Sequence, residues 1–492
     1  MSKLSERLKE IVQNAGVTQY MLAKNSGVDR ALVCRFLSGT RIPSEENLSA
    51  ICRALCLSEE TGAELEELLE MAKDGEILYE QRRQIIDLFE NIESYDRKAR
   101  KSGTFAAPAA RPLPGGTVTM YSDQYSVNDM IVSVLSSEYG KGKTEIRIFC
   151  PTKYEFFFSY LYQMGFTDNG NLSIKQAVRL ENFNEKSSLV NTRELASILP
   201  FTLGNCRDYN VVLLYFGSGS DGNESSHPFP YYIVINDNAI MLSYDCRSAM
   251  LLRDPDAVEY IRADFDRHYD AGVKVTTSVP SALNLINFFD SMDNRELHPG
   301  DCMMGAAPAL CVAFDCDTIL SFRSEHPAVE QLVPAFRERF TRLHNDPSQG
   351  ELLQVFTFSG IDSFIETGLQ SELPQQFVKP FSLEMRLKYV SETKEKILGG
   401  SLFYAVNETK FTFPKNIYFR YQKDECVTIT VRTGNMDDMR SVVIREVSVL
   451  RAFDDFLRYL PHSKFVLSKE KTVEMLEERE KLLRERIAAE KQ

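Results

Sequence analysis

The chain of 492 residues contains 57 lysines and arginines against 70 aspartates and glutamates, which gives a net charge of −13. Hydrophobic residues make up 43% and charged residues 26%, which fits a globular protein with sizeable cores and excludes a chain that is disordered throughout. The acidic surplus argues against polyanion binding over the whole surface but allows a basic face on one domain. No apolar run reaches the roughly 18 residues of a membrane helix, and the first residues alternate in charge, unlike a signal peptide. We therefore expect a cytoplasmic protein without a membrane partner.

Two short helices separated by a tight turn are predicted near the start of the chain. Thr18 and Asp29 are N-cap candidates for these helices, and Gly27 and Gly39 can take the left-handed conformation that ends each of them. The three-residue turn that contains Gly27 predicts a helix-turn-helix over about 19–38, a motif whose second helix enters the DNA major groove.

The surrounding pattern completes a five-helix domain over residues 1–75. Ser44 and Ser58 are N-cap candidates for the fourth and fifth helices, and helical spacing runs through the whole segment without strand-like alternation. The helices are expected to bury a shared set of apolar side chains: Leu8, Ile11, Leu22, Ala23, Val28, Val33, Phe36, Leu48, Ile51 and Leu55.

Residue types at more than ten positions of this domain follow the pattern of a known family. The matching residues are Thr18-Gln19, Leu22-Ala23, Gly27-Val28, Val33, Gly39-Thr40-Arg41, Pro43 and the run Leu48, Ile51 and Ala54-Leu55. With them, residues 4–57 resemble the phage-repressor type of helix-turn-helix, the lambda-repressor-like fold of the XRE (xenobiotic response element) family. The resemblance implies operator binding, usually as a dimer. Leu37 departs from the family, where an acidic residue is frequent, and this affects only a local salt bridge.

The positive charge of the domain is concentrated near the motif. Residues 1–43 carry seven basic side chains against three acidic ones, whereas residues 44–75 carry two against nine. The basic part therefore coincides with the recognition helix.

Six residues are predicted to contact double-stranded operator DNA. Arg30 can read guanine and Ala31 can touch a thymine methyl from the first turn of the recognition helix, with Cys34 one turn on. The others are better placed for phosphates or flanking bases. The alternative is a repressor-like fold whose exposed helix binds protein. The predicted site consists of Gln19, Arg30, Ala31, Cys34, Arg35 and Arg41.

A polar helix over 76–101 and a linker over 102–117 are predicted to follow. The helix carries a rough apolar stripe, and the Pro-, Gly- and Ala-rich composition of the next segment is typical of a semi-extended linker. We expect a homodimer whose interface comes from the stripe or from the region that follows. The stripe consists of Ile77, Ile85, Leu88, Phe89 and Ile92.

Strand and helix patterns alternate through the rest of the chain. They predict an α/β sensor-like region over 118–292, a second α/β region over 293–467 and a charged helix over 468–492. The strand candidates include Ala309–Phe322 and Leu402–Phe413. The predicted fold class is multidomain: an all-α repressor-like helix-turn-helix domain plus a large mixed α/β region.

Complete catalytic motifs are lacking in this region. The segment Gly217–Gly222 spells G-x-G-x-x-G, but 223–230 follows without a helical pattern, so a hairpin loop is predicted instead of a dinucleotide site. The segment Leu251–Phe265 is faintly similar to the non-catalytic periphery of phospholipase-D-like sensor folds. Their H-x-K-x-x-x-x-D motif is absent, because the only His-x-Lys begins at His462 and is followed by Lys469 at the aspartate position. We expect no catalytic residues and no enzyme activity.

The ten cysteines are scattered, as expected for reduced thiols. Cys52 and Cys56 are four residues apart on a predicted helix and are interpreted as packing residues, and Cys311 and Cys316 have no histidine nearby. We expect no metal and no cofactor, and no residue stands out as a cofactor ligand.

The combined prediction is a sequence-specific DNA-binding transcriptional regulator with a large C-terminal sensor or oligomerisation region. That region is larger than dimerisation requires, which favours a small-molecule effector. One alternative is an enzyme or effector of unknown chemistry with an autoregulatory or docking helix-turn-helix domain. Another is an adaptor that assembles through its charged C-terminal helix.

Overall fold

The structure, a computed structural model, describes residues 2–101, 112–113, 115–167, 170–181, 187–203, 208–216, 228–277, 297–327, 329–345, 351–370, 377–432 and 439–490. The chain divides into two compact units, Met1–Gln84 and Ile85–Gln492. The first is all helix and the second mixes helices with two sheets, which confirms the predicted multidomain fold class.

Five helices form the body of the first unit, each started by a polar cap. Thr18 Oγ1 accepts from the Met21 amide at 3.2 Å, and Ser44 and Ser58 accept from amides three residues on. The helices are α1 (Lys3–Asn14), α2 (Gln19–Ser26), α3 (Arg30–Ser38), α4 (Glu45–Ala54) and α5 (Glu59–Asp74). They enclose a core that includes Leu8, Leu22, Val33, Phe36, Leu48 and Ile51, as the helical spacing predicts.

The boundary between the units lies within the next helix, α6 (Glu76–Lys101). From Ile85 onward its apolar stripe is buried in the second unit, where the Phe89 ring lies 5.3 Å from the rings of both Phe413 and Phe419. The suggestion that this stripe supplies a dimer interface is therefore wrong, because the side chains are already buried within their own chain.

An eight-stranded sheet opens the second unit. Its order is β1-β7-β6-β5-β2-β3-β4-β8, with β2, β3 and β4 parallel and the other pairs antiparallel. The strands are β1 (Val118–Tyr121), β2 (Thr144–Phe149), β3 (Leu172–Glu181), β4 (Asp208–Phe216), β5 (Tyr231–Ile235), β6 (Asn238–Leu242), β7 (Ala249–Leu252) and β8 (Val273–Lys274).

A seven-stranded sheet follows, in the order β12-β11-β10-β13-β14-β15-β9. Its parallel strands are β10, β11 and β12. The strands are β9 (Thr276–Thr277), β10 (Cys302–Met304), β11 (Leu353–Phe356), β12 (Phe403–Ala405), β13 (Ile417–Gln422), β14 (Cys426–Arg432) and β15 (Met439–Ile444). Side chains from both sheets join one hydrophobic core, so the two α/β regions pack together.

Ten helices accompany these strands in the described part of the second unit. They are α7 (Gln124–Lys141), α8 (Glu155–Thr167), α9 (Ser187–Leu203), α10 (Pro255–Ala271), α11 (Cys316–Ser321), α12 (Val329–Asn345), α13 (Phe358–Thr367), α14 (Leu383–Leu398), α15 (Val447–Tyr459) and α16 (Lys469–Glu490).

Two strand predictions are wrong. The run Ala309–Phe322 forms a 3₁₀ turn and then α11, because Asp315 caps a helix by accepting from the Thr318 amide at 2.7 Å. In Leu402–Phe413 the strand ends at Ala405, and Asn407 Oδ1 accepts from the Thr409 amide in a local turn.

The charged helix α16 is docked within its own chain. Leu476 and Leu483 are fully buried, and the Arg479 guanidinium pairs with both Asp362 oxygens at 2.6 and 2.7 Å. Its apolar side is therefore not available for a coiled coil with another molecule.

Other predictions fall outside the described residues. Most of the linker 102–117 lies there, as does the segment 217–222 with its G-x-G-x-x-G pattern. Within the described residues, none of the helices is long and apolar enough to cross a membrane.

Candidate nucleic-acid interface

The turn between α2 and α3 is held by local backbone chemistry. Gly27 has φ 71°, a left-handed conformation that favours glycine, and its amide donates to the Ala23 carbonyl. Asp29 Oδ1 then accepts from the amides of Ala31 and Leu32, at 2.8 and 3.3 Å. These contacts fix the point at which α3 starts and thus which of its side chains face outward.

One face of α3 is exposed along its whole length. Val33, Phe36 and Leu37 are buried, whereas a stripe at helical spacing faces solvent. The exposed residues are Arg30, Ala31, Cys34, Arg35 and Ser38. A helix that offers such a stripe can insert into a groove without disturbing its own core.

The six predicted site residues are all exposed. Four lie on α3, Gln19 is the first residue of α2, and Arg41 follows the Gly39 turn. The Thr40 and Arg41 amides both donate to the Arg35 carbonyl, at 3.0 and 3.3 Å, which ties the segment of Arg41 to α3.

Four basic residues of the first unit that lie away from α3 are paired with carboxylates. Lys3, Arg7, Lys73 and Arg82 form salt bridges with carboxylates of the first unit. Among the described residues, no salt bridge engages Lys24, Arg30, Arg35 or Arg41. Their charge is therefore not neutralised locally, which suits attraction to phosphates.

Three exposed apolar side chains escaped the sequence reasoning. Tyr20 is 61% exposed, Met21 50% and Ile42 43%. Tyr20 and Met21 follow Gln19 in the sequence, and Ile42 follows Arg41. Only their positions outside the helical spacing of the buried side chains could have indicated that they are exposed. Tyr20 follows Gln19 in the sequence, and tyrosine side chains are among the groups that contact phosphates in protein–DNA complexes.

The cysteines of the first unit behave differently from one another. Cys52 is partly buried, and burial raises the pKa of its thiol. Cys56 lies beyond the end of α4, exposed and with φ 48°, so its interpretation as a helical packing residue is wrong. Among the described residues, no group of three His, Cys, Asp or Glu side chains could hold a metal ion.

The second unit contains a cavity of about 470 Å³ at the start of its parallel strands. Lys423, Glu351, Asp454 and Arg458 bring charges of both signs to its wall, and Arg458 pairs with Asp454 at 2.6 Å. The apolar part of the lining consists of Leu353, Leu402, Leu457, Pro299 and Pro461. Cavities of this size hold small molecules in other proteins.

The helices, caps and turn of the first unit define a helix-turn-helix fold. Residues 3–68 match the family model described as a helix-turn-helix domain, which agrees with the resemblance seen at 4–57. The match covers this N-terminal segment of the chain and supports DNA binding.

Comparisons with whole proteins and solved structures are weak. No curated protein matches the chain. TrmBL2, an archaeal chromatin protein described as showing a novel mode of DNA binding, is 11% identical with a TM-score of 0.20, covering 55% of this chain and 100% of its own. Polyphosphate kinase from Porphyromonas gingivalis is 9% identical with a TM-score of 0.21, covering 77% of this chain and 61% of its own. At these TM-scores neither likeness carries an argument.

Proposed function

We propose that the protein is a cytoplasmic, non-enzymatic transcriptional regulator that binds operator DNA through its first unit and acts as a homodimer. The observation that carries the proposal is the exposed face of α3, where Arg30 and Arg35 have no carboxylate partner among the described residues. The helix-turn-helix family match supports it. The net charge of −13 over the whole chain keeps non-specific attraction to DNA low.

Arg30 and Ala31 are assigned to base edges and Cys34 to the groove floor, because they occupy the exposed first two turns of α3. Gln19, Arg35 and Arg41 are assigned to phosphates, which position the helix without reading sequence.

The second unit is proposed to sense a small molecule in the 470 Å³ cavity beside Lys423. The mixture of charges around an apolar lining favours a small ligand that carries both charged and apolar groups. Such a ligand changes operator affinity only by binding two states of the protein differently, with a typical coupling of about 1–3 kcal/mol. Operator titrations with and without candidate metabolites would measure that coupling, and Lys423→Met should abolish it while leaving ligand-free operator binding unchanged.

The DNA-binding proposal is tested by selecting a preferred duplex with the full chain and titrating it with Arg30→Ala. The loss of one bidentate base contact should cost about 1–3 kcal/mol and relax one base preference. Arg53→Ala is the matched control, because it removes the same charge from the exposed surface of α4 and should bind as the parent chain does. Equal losses with both variants, or no preferred sequence from the selection, would contradict the proposal.

A further inference from the structure

Two oppositely charged side chains on the wall of the 470 Å³ cavity form no ion pair within the described part of the chain. Lys423 lies in the turn between β13 and β14, and Glu351 lies just before β11. Asp454 and Arg458, which also line the cavity, pair with each other at 2.6 Å. The wall therefore presents one positive and one negative charge that a ligand can neutralise.

The position of Lys423 is fixed by the carboxylate of Asp301, which is 1% exposed. Its Oδ1 atom accepts from the Lys423 amide at 2.9 Å, and its Oδ2 atom accepts from the His298 amide at 3.2 Å. The Leu353 amide donates to the Asp301 carbonyl at 3.0 Å. One buried residue thus joins the turn that carries Lys423, the turn before β10 and the start of β11.

Gly300 leaves room for the Lys423 side chain to lie along the turn before β10. Its φ of 92° is in the left-handed region that favours glycine. A Cβ atom at this position would lie 3.0 Å from Lys423 Cδ and 3.7 Å from Lys423 Nζ. The ammonium is therefore held at the cavity wall in the empty site, which lowers the entropic cost of binding a ligand there.

Much of the remaining wall is apolar. Leu353 and Leu457 are buried, whereas Leu402 is 37% exposed. Leu352 and Leu353 are both buried directly after Glu351, so they anchor the chain while Glu351 stays exposed. A ligand that covers Leu402 would remove apolar surface from water in addition to forming ion pairs.

We propose that the cavity binds a small zwitterion with an apolar side chain, the chemistry shared by apolar amino acids and by short peptides made of them. The carboxylate of the ligand pairs with Lys423, its ammonium pairs with Glu351, and its apolar side chain covers Leu402. A ligand with only one of these charges would use only one of the two side chains. The regulatory role of this ligand rests on the proposed function, whereas its binding does not require DNA.

The first test is isothermal titration calorimetry of the full chain with leucine, phenylalanine and leucyl-leucine at neutral pH, without DNA. We expect at least one of them to bind, and the comparison distinguishes an amino acid from a peptide. The same compound acetylated at its amino group or amidated at its carboxylate should bind at least about tenfold more weakly, because each change removes one charge-assisted hydrogen bond. Binding of none of the three compounds, or full affinity of either blocked form, would overturn the proposal.

Two variants assign the charges to their partners. Lys423→Gln should lower the affinity for the unblocked compound at least about tenfold and leave that for the amidated form unchanged, because that form has no carboxylate. Glu351→Gln should do the same with the acetylated form as the reference. Unchanged affinity for the matching blocked form also shows that each variant is folded.

Exposed residues away from the cavity provide the matched controls. Lys410 lies beyond the end of β12 opposite to Leu402, and Glu155 begins α8. Lys410→Gln and Glu155→Gln should bind all forms as the parent chain does. If Lys423→Gln and Glu351→Gln also bind the unblocked compound as the controls do, the assignment of the two charges is wrong.

The failure of this inference and that of the proposed function are distinguishable. Binding with the expected charge pattern but without any effect on operator affinity would retain the ligand class and overturn the sensing role. An operator affinity that responds to another class of metabolite, while none of these compounds binds, would retain the regulator and overturn the zwitterion site.

Discussion

Asp29 controls the start of α3 with a single carboxylate oxygen. Asp29→Ala removes the acceptor for the Ala31 and Leu32 amides and should destabilise α3 by about 1 kcal/mol. Hydrogen exchange of the α3 amides would report this as faster local opening. Asp29→Asn keeps an acceptor oxygen and should show little change; equal acceleration in both variants would mean that charge, and not the cap, holds the turn.

The helix ends of the first unit were largely predictable, because they depend on interactions between residues that are close in the sequence. The caps at Thr18, Asp29, Ser44 and Ser58 and the left-handed Gly27 all depend on neighbours within four residues. Cys56 was not predictable, because α4 ends at Ala54 and the next turn takes a positive φ at a residue that seldom adopts one. The contacts of the exposed face with DNA stay a prediction.

The docking of α16 can be tested with two adjacent leucines. Leu483 is fully buried and Leu482 is 40% exposed. Leu483→Ala should lower the free energy of unfolding by about 2–5 kcal/mol, whereas Leu482→Ala should cost well below 1 kcal/mol. Urea denaturation of the full chain followed by circular dichroism would measure both, and similar losses would show that α16 is not docked in this register.

The mixed α/β class of the second unit was predicted, because strand-like and helix-like hydrophobic periods alternate along it. The Ala309–Phe322 run failed because an apolar segment buried on several sides has no period that separates strand from helix. The docking of α16 against its own chain could not be predicted either, because its charged pattern fits both a solvated helix and one whose Arg479 pairs with Asp362.

At the scale of the whole molecule, the division at Gln84 predicts where the chain can be cut. A fragment of residues 1–84 keeps the first unit intact and should fold and bind the preferred DNA. A fragment of residues 1–101 adds side chains that the second unit buries, including Phe89 and Ile92, and should self-associate. Light scattering of the two fragments would test this expectation. A monodisperse fragment of residues 1–101 would contradict the assignment of the later part of α6 to the second unit.

The exposed thiols of Cys34 and Cys56 allow DNA binding by the first unit to be followed by chemical labelling. Cys34 lies on the outward face of α3, and Cys56 lies in the turn after α4. Iodoacetamide should alkylate both in the isolated protein, and bound operator should shield Cys34 while Cys56 continues to react at its former rate. The ratio of the two labelled peptides, determined by mass spectrometry, would then measure the fraction of the protein that is bound to DNA. The measurement needs no substitution and no attached dye. If Cys34 is labelled at the same rate with and without saturating operator, the DNA contacts another surface of the protein.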